Sequence, residues 1–260
     1  MTADTTAITP AFLDTGRGHR LAYHRLAASG YGTDLPGVVF LGGFRSDMTG
    51  SKAMALEAHC RARGQAFVRF DYFAHGQSDG AFVDGTIGGW AADAVAVLDH
   101  LTAGPQILIG SSMGGWIMLL AALQRPARIA GLIGIAAAPD FTQELLWQQL
   151  DGQARETLMR SGVLYQETPY DPEPYAISRA LIEDGAQHCL LSGPIGIAVP
   201  VRLLQGMRDD DVPWRHALRL AEALATPDVR TTLIKNGDHR LSEPDQLALL
   251  MATLDGLSGA

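Results

Sequence analysis

The chain has 260 residues, 47% of them hydrophobic and 18% charged, which is enough apolar material for a sizeable buried core and argues against disorder. A formal net charge of -8 without clustered Lys and Arg argues against nucleic acid as a partner, since phosphate binding needs concentrated positive charge. The two cysteines, Cys60 and Cys189, lack C-x-x-C or metal-ligand spacing, which argues against both a zinc site and a disulfide framework.

Residues 1–10 are rich in Thr and Ala and show no basic stretch followed by an apolar core, so no secretory signal is read there. No run reaches the roughly 18 apolar residues of a membrane span. A cytoplasmic location is the default expectation, and a single domain over 1–260 follows from the absence of a long linker or low-complexity tract.

Residues 10–14 and 19–26, joined by Thr15-Gly16-Arg17-Gly18, read as a β-hairpin. Short apolar or β-branched runs follow at 37–41, 66–70, 106–109, 129–135, 201–204 and 230–234. Helix-compatible segments at 51–63, 86–101, 114–124, 213–225 and 242–254 lie between or after them. Uniformly apolar strands separated by helices predict an α/β fold whose mostly parallel sheet is covered on both faces. Its functional groups belong at the carboxyl ends of the strands. The rhythm breaks at about 140–199, where helical stretches at 141–150, 154–160 and 177–184 surround the Pro-rich segment 168–175. This insertion reads as a helical cap over the sheet's carboxyl edge, with an enlarged packing crossover as the alternative.

Gly110-Ser111-Ser112-Met113-Gly114 sits between the strand at 106–109 and the helix at 114–124. That context predicts a nucleophile elbow, a strained strand-to-helix turn presenting a serine hydroxyl, and the flanking glycines put Ser112 in register. A serine hydroxyl needs a base, and the base needs an acid to orient it. His239 follows the last strand in a Gly-Asp turn and is the candidate base, with His75 as its rival. The acid comes from Asp209, Asp210 or Asp211; Asp209, three residues after Gly206 and three before Val212, is preferred over Asp210. For the oxyanion hole the N–H groups of Met113 and Phe44 are the candidates, Phe44 following Gly42-Gly43 after the strand at 37–41.

With these residues in place, the chain resembles the α/β-hydrolase superfamily over nearly its whole length. The segment Asp71-Tyr72-Phe73-Ala74-His75-Gly76-Gln77-Ser78 is similar to a structural loop of that superfamily, which makes His75 the weaker base candidate. Within the superfamily the chain looks closest to the mitochondrial acyl-glucuronide esterase and protein depalmitoylase subfamily and its bacterial relatives. The residues carrying this are 43–52, Gly110 to Trp116, Gly206 to Asp210 with Val212-Pro213-Trp214, and Asp238-His239-Arg240. Three positions depart from the pattern: Gly42 where His is usual, Gln205 where His is frequent, and Ala74 in place of glycine.

The expected activity is hydrolysis of carboxylic esters or thioesters through Ser112, His239 and Asp209, with no metal or organic cofactor. Expected partners are a small ester or thioester or an acylated protein. The same three residues are compatible with carbon–carbon bond hydrolysis or acyl transfer, and a non-catalytic binding protein is the reading of a different class. Phe141, Leu145, Leu146, Trp147, Leu150, Leu164 and Tyr165 are candidates for an acyl pocket. Arg45, with Lys52, would either attract an acidic group or stand as a solvated surface charge.

Overall fold

The computed structural model describes residues 9–167 and 173–259. The N-terminal stretch 1–8 and residues 168–172 of the Pro-rich segment lie outside the described residues. The chain opens with β1 (Ala11–Asp14) and β2 (Arg20–Leu26), the expected hairpin. It continues through β3 (Gly37–Leu41), α1 (Ser51–Ala62), β4 (Phe67–Phe70), α2 (Ile87–Leu101), β5 (Gln106–Ser111), α3 (Met113–Gln124) and β6 (Ile129–Ile135). After a long excursion come β9 (Val201–Gly206), α6 (Trp214–Ala223), β10 (Val229–Ile234) and α7 (Pro244–Ser258).

These strands form one eight-stranded sheet in the order β1-β2-β4-β3-β5-β6-β9-β10. β2 pairs antiparallel with β1 and β4, and the remaining pairs are parallel. Side chains that alternate along each strand go to opposite faces. Val39, Leu41, Leu108 and Leu132 therefore join one core with Trp90 and Leu98 of α2, Trp116 and Leu119 of α3, and Leu220 of α6. Val38, Phe40, Ile107, Ile109, Ile133 and Ile135 join another with Leu56 of α1 and Leu250 and Leu254 of α7. Both faces are covered, which is why these strands read as continuous apolar runs.

The chain passes from β3 to β4 on one side and then returns to place β5 on the other side of β3. The loops leaving the carboxyl ends of β3 and β5 consequently diverge at a topological switch point, where open sheets form clefts. Leu41 pairs with Gly110, so the loop after Leu41 and the turn after Ser111 leave side by side. Two strands further along, Gly206 pairs with Ile234, which brings the loops carrying Asp209 and His239 together.

The segment between β6 and β9 differs from a purely helical reading. α4 (Gly152–Ser161) and α5 (Arg179–Ala186) are present, but β7 (Val163–Gln166) and β8 (Tyr175–Ser178) form a separate antiparallel pair. The helix expected at 177–184 begins only after Ser178, whose hydroxyl accepts the Leu181 N–H as an N-cap. Residues 142–146 form a π-helical turn followed by a 3-10 turn instead of a regular helix. Its entry is held by Asp140, at φ 61°, whose two carboxylate oxygens accept the Leu190 and Leu191 N–H groups from the other end of the excursion. Glu144 forms a bidentate ion pair with Arg219 of α6. Cys60 is buried and Cys189 half-buried, both as free thiols.

Candidate active site

Ser112 occupies the turn between β5 and α3 at φ 54°, ψ -121°, a conformation that L-residues adopt only when the surroundings enforce it. The enforcing contacts are backbone to backbone. Ser112 N–H donates to Ile135 O at 2.9 Å, and Ser112 O accepts the Gly115 and Ala138 N–H groups. A Cβ on Gly110 would lie 2.3 Å from Gly114 O, and one on Gly114 would lie 2.1 Å from Leu41 O. Both positions therefore require glycine for close approach. The turn leaves Ser112 lining a cavity and at the positive end of the α3 dipole.

Asp209, His239 and Ser112 form one hydrogen-bonded chain across three loops. His239 Nδ1 lies 2.9 Å from Asp209 Oδ2, and His239 Nε2 lies 3.1 Å from Ser112 Oγ. The Asp209 side chain has no solvent exposure, while His239 retains 18%. Asp209 Oδ1 accepts the N–H groups of Asp211 and Val212 at 3.0 and 2.8 Å, and Oδ2 also accepts the Gln205 amide at 2.9 Å. A carboxylate that only accepts fixes the imidazole tautomer: Nδ1 carries the proton, which leaves the Nε2 lone pair to receive the Ser112 hydroxyl proton. Asp210 and Asp211 are exposed and border the cavity instead.

The loop after β3 lies against this chain. A Cβ on Gly43 would sit 3.4 Å from Ser112 Cβ, so the loop backbone packs directly on the serine. Gly43, Phe44 and Met113 all line the same cavity as Ser112. At the first position of α3, the Met113 N–H has no acceptor within its helix. The loop is pinned by Ser46 Oγ donating to Gly43 O at 2.8 Å and by Arg45 N–H donating to His75 Nε2 at 3.3 Å. His75 Nδ1 donates to Phe73 O, so this histidine is a buried neutral strut beneath the loop rather than a partner of Ser112.

Burial pushes His75 down to about 4, with the Arg45 charge acting in the same direction and the bond to Phe73 O opposing them. The unfolded chain takes up this proton near 6.5, before the folded one does. The contribution of neutral His75 to stability is complete above about pH 6.5 and is lost as pH falls through about 4. The gap corresponds to about 3 kcal/mol. The urea stability of wild type relative to His75→Gln should therefore decline by up to that amount between pH 7 and pH 4. An advantage that stays constant over this range removes the assignment.

The cavity, about 600 Å³ in volume, has an apolar part formed by Phe44, Phe141, Leu145, Leu146, Tyr175, Ile177 and Val212 and a polar part that includes Asp47, Lys52, Gln149, Glu167, Asp210 and Arg240. Of the acyl-pocket candidates, Phe141, Leu145 and Leu146 line it. Trp147 does not: it packs with Leu150 and Leu164 against Leu158, Ile177 and Ile182, under the guanidinium of Arg155. Tyr165 is 66% exposed. Leu146 closes the π-helical turn and Trp147 opens the 3-10 turn after it, and neighbouring residues on helical turns point in different directions. Tyr175 and Ile177 escaped the sequence reading because their strand β8 was read as loop and helix.

Arg45 also lines the cavity, half-buried at φ 56° and stacked between the rings of Phe82 and Tyr175 at 5.1 and 5.4 Å. Lys52 reaches from α1 to donate to Arg240 O and Ser242 Oγ on the His239 loop. Burial lowers its ammonium to about 8, the Arg240 charge adds to the effect and Asp238 opposes it. Among the described residues, no helix is long and apolar enough to cross a membrane.

Comparison with known proteins agrees with this architecture. A model of the α/β-hydrolase fold family matches residues 38–163. The mouse palmitoyl-protein thioesterase ABHD10, mitochondrial, is 41% identical over 250 residues, covering 95% of this chain and 82% of the relative. A solved structure from Agrobacterium vitis S4 superposes with a TM-score of 0.90 at 40% identity, over 96% of this chain and 97% of that one. The structure of mouse α/β-hydrolase domain-containing protein 10 gives 0.87 at 40% identity, over 96% and 98%. The cytoplasmic expectation is overturned by the palmitoyl-protein thioesterase relatives, mouse and human, which are named as mitochondrial. It rested on the lack of secretory and membrane-spanning patterns, and a mitochondrial protein needs neither. With this fold, these loops and relatives of this identity over nearly its full length, the chain is an enzyme of the α/β-hydrolase family.

Proposed function

We propose that the protein is a serine hydrolase that cleaves thioesters and carboxylic esters through an acyl-enzyme on Ser112. The observation that carries this reading is the unbroken chain Asp209–His239–Ser112 at a cavity with one apolar wall. In the first half-reaction His239 Nε2 takes the Ser112 proton as Oγ attacks the acyl carbonyl. The Phe44 and Met113 N–H groups hold the resulting oxyanion, and His239 returns the proton to the departing thiol or alcohol. In the second, His239 deprotonates a water that attacks the acyl carbonyl, and the proton passes to Ser112 as the carboxylic acid leaves.

Residues 140–199 act in this reading as a cap supplying the acyl-binding wall. Relatives named as palmitoyl-protein thioesterases and the apolar part of the cavity wall favour a long-chain acyl thioester, free or on protein. The test is kcat/KM on acyl thioesters and p-nitrophenyl esters from two to sixteen carbons. Wild type should prefer longer chains; no turnover on any of them sinks the reading. Leu146→Trp should narrow the cavity and spare short chains. Each methylene denied burial costs about 0.8 kcal/mol, roughly fourfold in kcat/KM. An equal effect on the two-carbon and sixteen-carbon substrates removes Leu146 from the acyl wall.

A further inference from the structure

Gln205, the penultimate residue of β9, is fully buried, and the mechanism above leaves it without a part. Its Nε2 lies 2.9 Å from Asp209 Oδ2, 3.1 Å from Val212 O and 3.2 Å from Gly206 O. All three neighbours are acceptors, so the amide must present its NH₂ to them. Its Oε1 points away and is buried without a hydrogen-bond partner. A buried amide with one end saturated and the other orphaned carries a desolvation cost that an apolar side chain of the same length would avoid.

Asp209 explains what the NH₂ does. Each of its oxygens receives two donors: Oδ1 from Asp211 and Val212, Oδ2 from Gln205 and His239. The four acceptor sites of the carboxylate are all occupied, and Gln205 shares the one oxygen that faces His239. A donor there withdraws part of the negative charge that would otherwise act on the imidazole. We propose that Gln205 is a positioning residue that locks the Asp209 carboxylate in place and limits how tightly it holds the His239 imidazolium. The inference rests on the Ser112–His239–Asp209 reading.

Gln205→Met conserves length and removes both the donor and the orphaned oxygen. It should fold with a modestly lowered melting temperature, because relief of the orphaned oxygen is offset by the donor that Asp209 Oδ2 and Val212 O lose. Its kcat should fall about tenfold at unchanged KM, since Gln205 touches no substrate and its loss frees the Asp209 carboxylate that orients His239. The acid limb of kcat/KM should move to higher pH by about half a unit, because Asp209 now gives its full charge to the imidazolium. The other ionisable groups on these loops and the cavity wall beside His239, namely Asp210, Asp211, Asp238, Arg240 and Lys52, are unchanged in the variant, so the shift reports Gln205. Gln205→His, which offers a ring N–H at similar reach, should restore both rate and limb, and Gln205→Leu repeats the loss should methionine pack badly. An unmoved acid limb overturns the proposal, whether or not kcat falls. Ser112→Ala in the same assays separates the layers. Retained turnover there defeats the triad reading, whereas a dead Ser112→Ala beside an unmoved Gln205→Met defeats only this proposal.

Discussion

Ser112→Ala is expected to lower kcat by about 10⁴- to 10⁶-fold, with the remainder over the uncatalysed rate coming from binding and the oxyanion donors. The size follows from the absence of an alternative nucleophile in the same geometry. Ser111 is buried as the last residue of β5, and His239 Nε2 is directed at Ser112 Oγ. Alanine keeps the backbone strain at φ 54° and removes no buried partner, so the melting temperature should stay close to wild type. Lost activity would then report chemistry and not unfolding. Ser112→Gly adds an internal control, because glycine accepts that conformation freely. It should be as inactive as alanine yet more stable by about 1 kcal/mol. A fluorophosphonate should label wild type at Ser112 and neither variant. Turnover by Ser112→Ala within tenfold of wild type, with labelling elsewhere, would mean that the elbow is only a turn.

The sequence made the elbow legible because its requirements are local: two glycines at fixed offsets and a strand and helix on either side. The sheet was legible for a similar reason, since strands buried on both faces are built mostly from apolar residues. The β6-to-β9 excursion was not. Asp140 takes its strained turn because backbone N–H groups fifty residues away bind its carboxylate, and the π-helical turn is braced by Arg219 of another helix. Such partners have no signature in a window of neighbouring residues. That is why Trp147, expected on the cavity wall beside Leu146, packs away from it, and why β8 was read as loop and helix. Arg45 shows a related limit. Its charge suggested either a ligand contact or solvent, while the structure stacks it between two aromatic rings and uses its backbone N–H to pin the loop beside Ser112.

Asp209→Asn is expected to cost about 10⁴ in kcat, the size seen when the orienting acid of such a triad becomes an amide. The amide has one acceptor end where the carboxylate has two. If its oxygen keeps the Asp211 and Val212 N–H groups, its NH₂ faces the Gln205 NH₂ and the His239 Nδ1–H, donor against donor. The imidazole relieves that conflict by moving its proton to Nε2, which then meets Ser112 Oγ as a donor and can no longer receive the hydroxyl proton. The displaced Gln205 donor adds about 1–3 kcal/mol of destabilisation, so a modest fall in melting temperature should accompany the kinetic loss. Asp210→Asn is the comparison that decides the acid. Asp210 is exposed, so its substitution should leave kcat within about threefold and stability within about 0.5 kcal/mol. Reversed magnitudes would transfer the orienting role to Asp210. Equal and small losses would mean that His239 is held in its tautomer by something other than a carboxylate, and the saturated hydrogen bonding of Asp209 would then serve only to close the β9 loop.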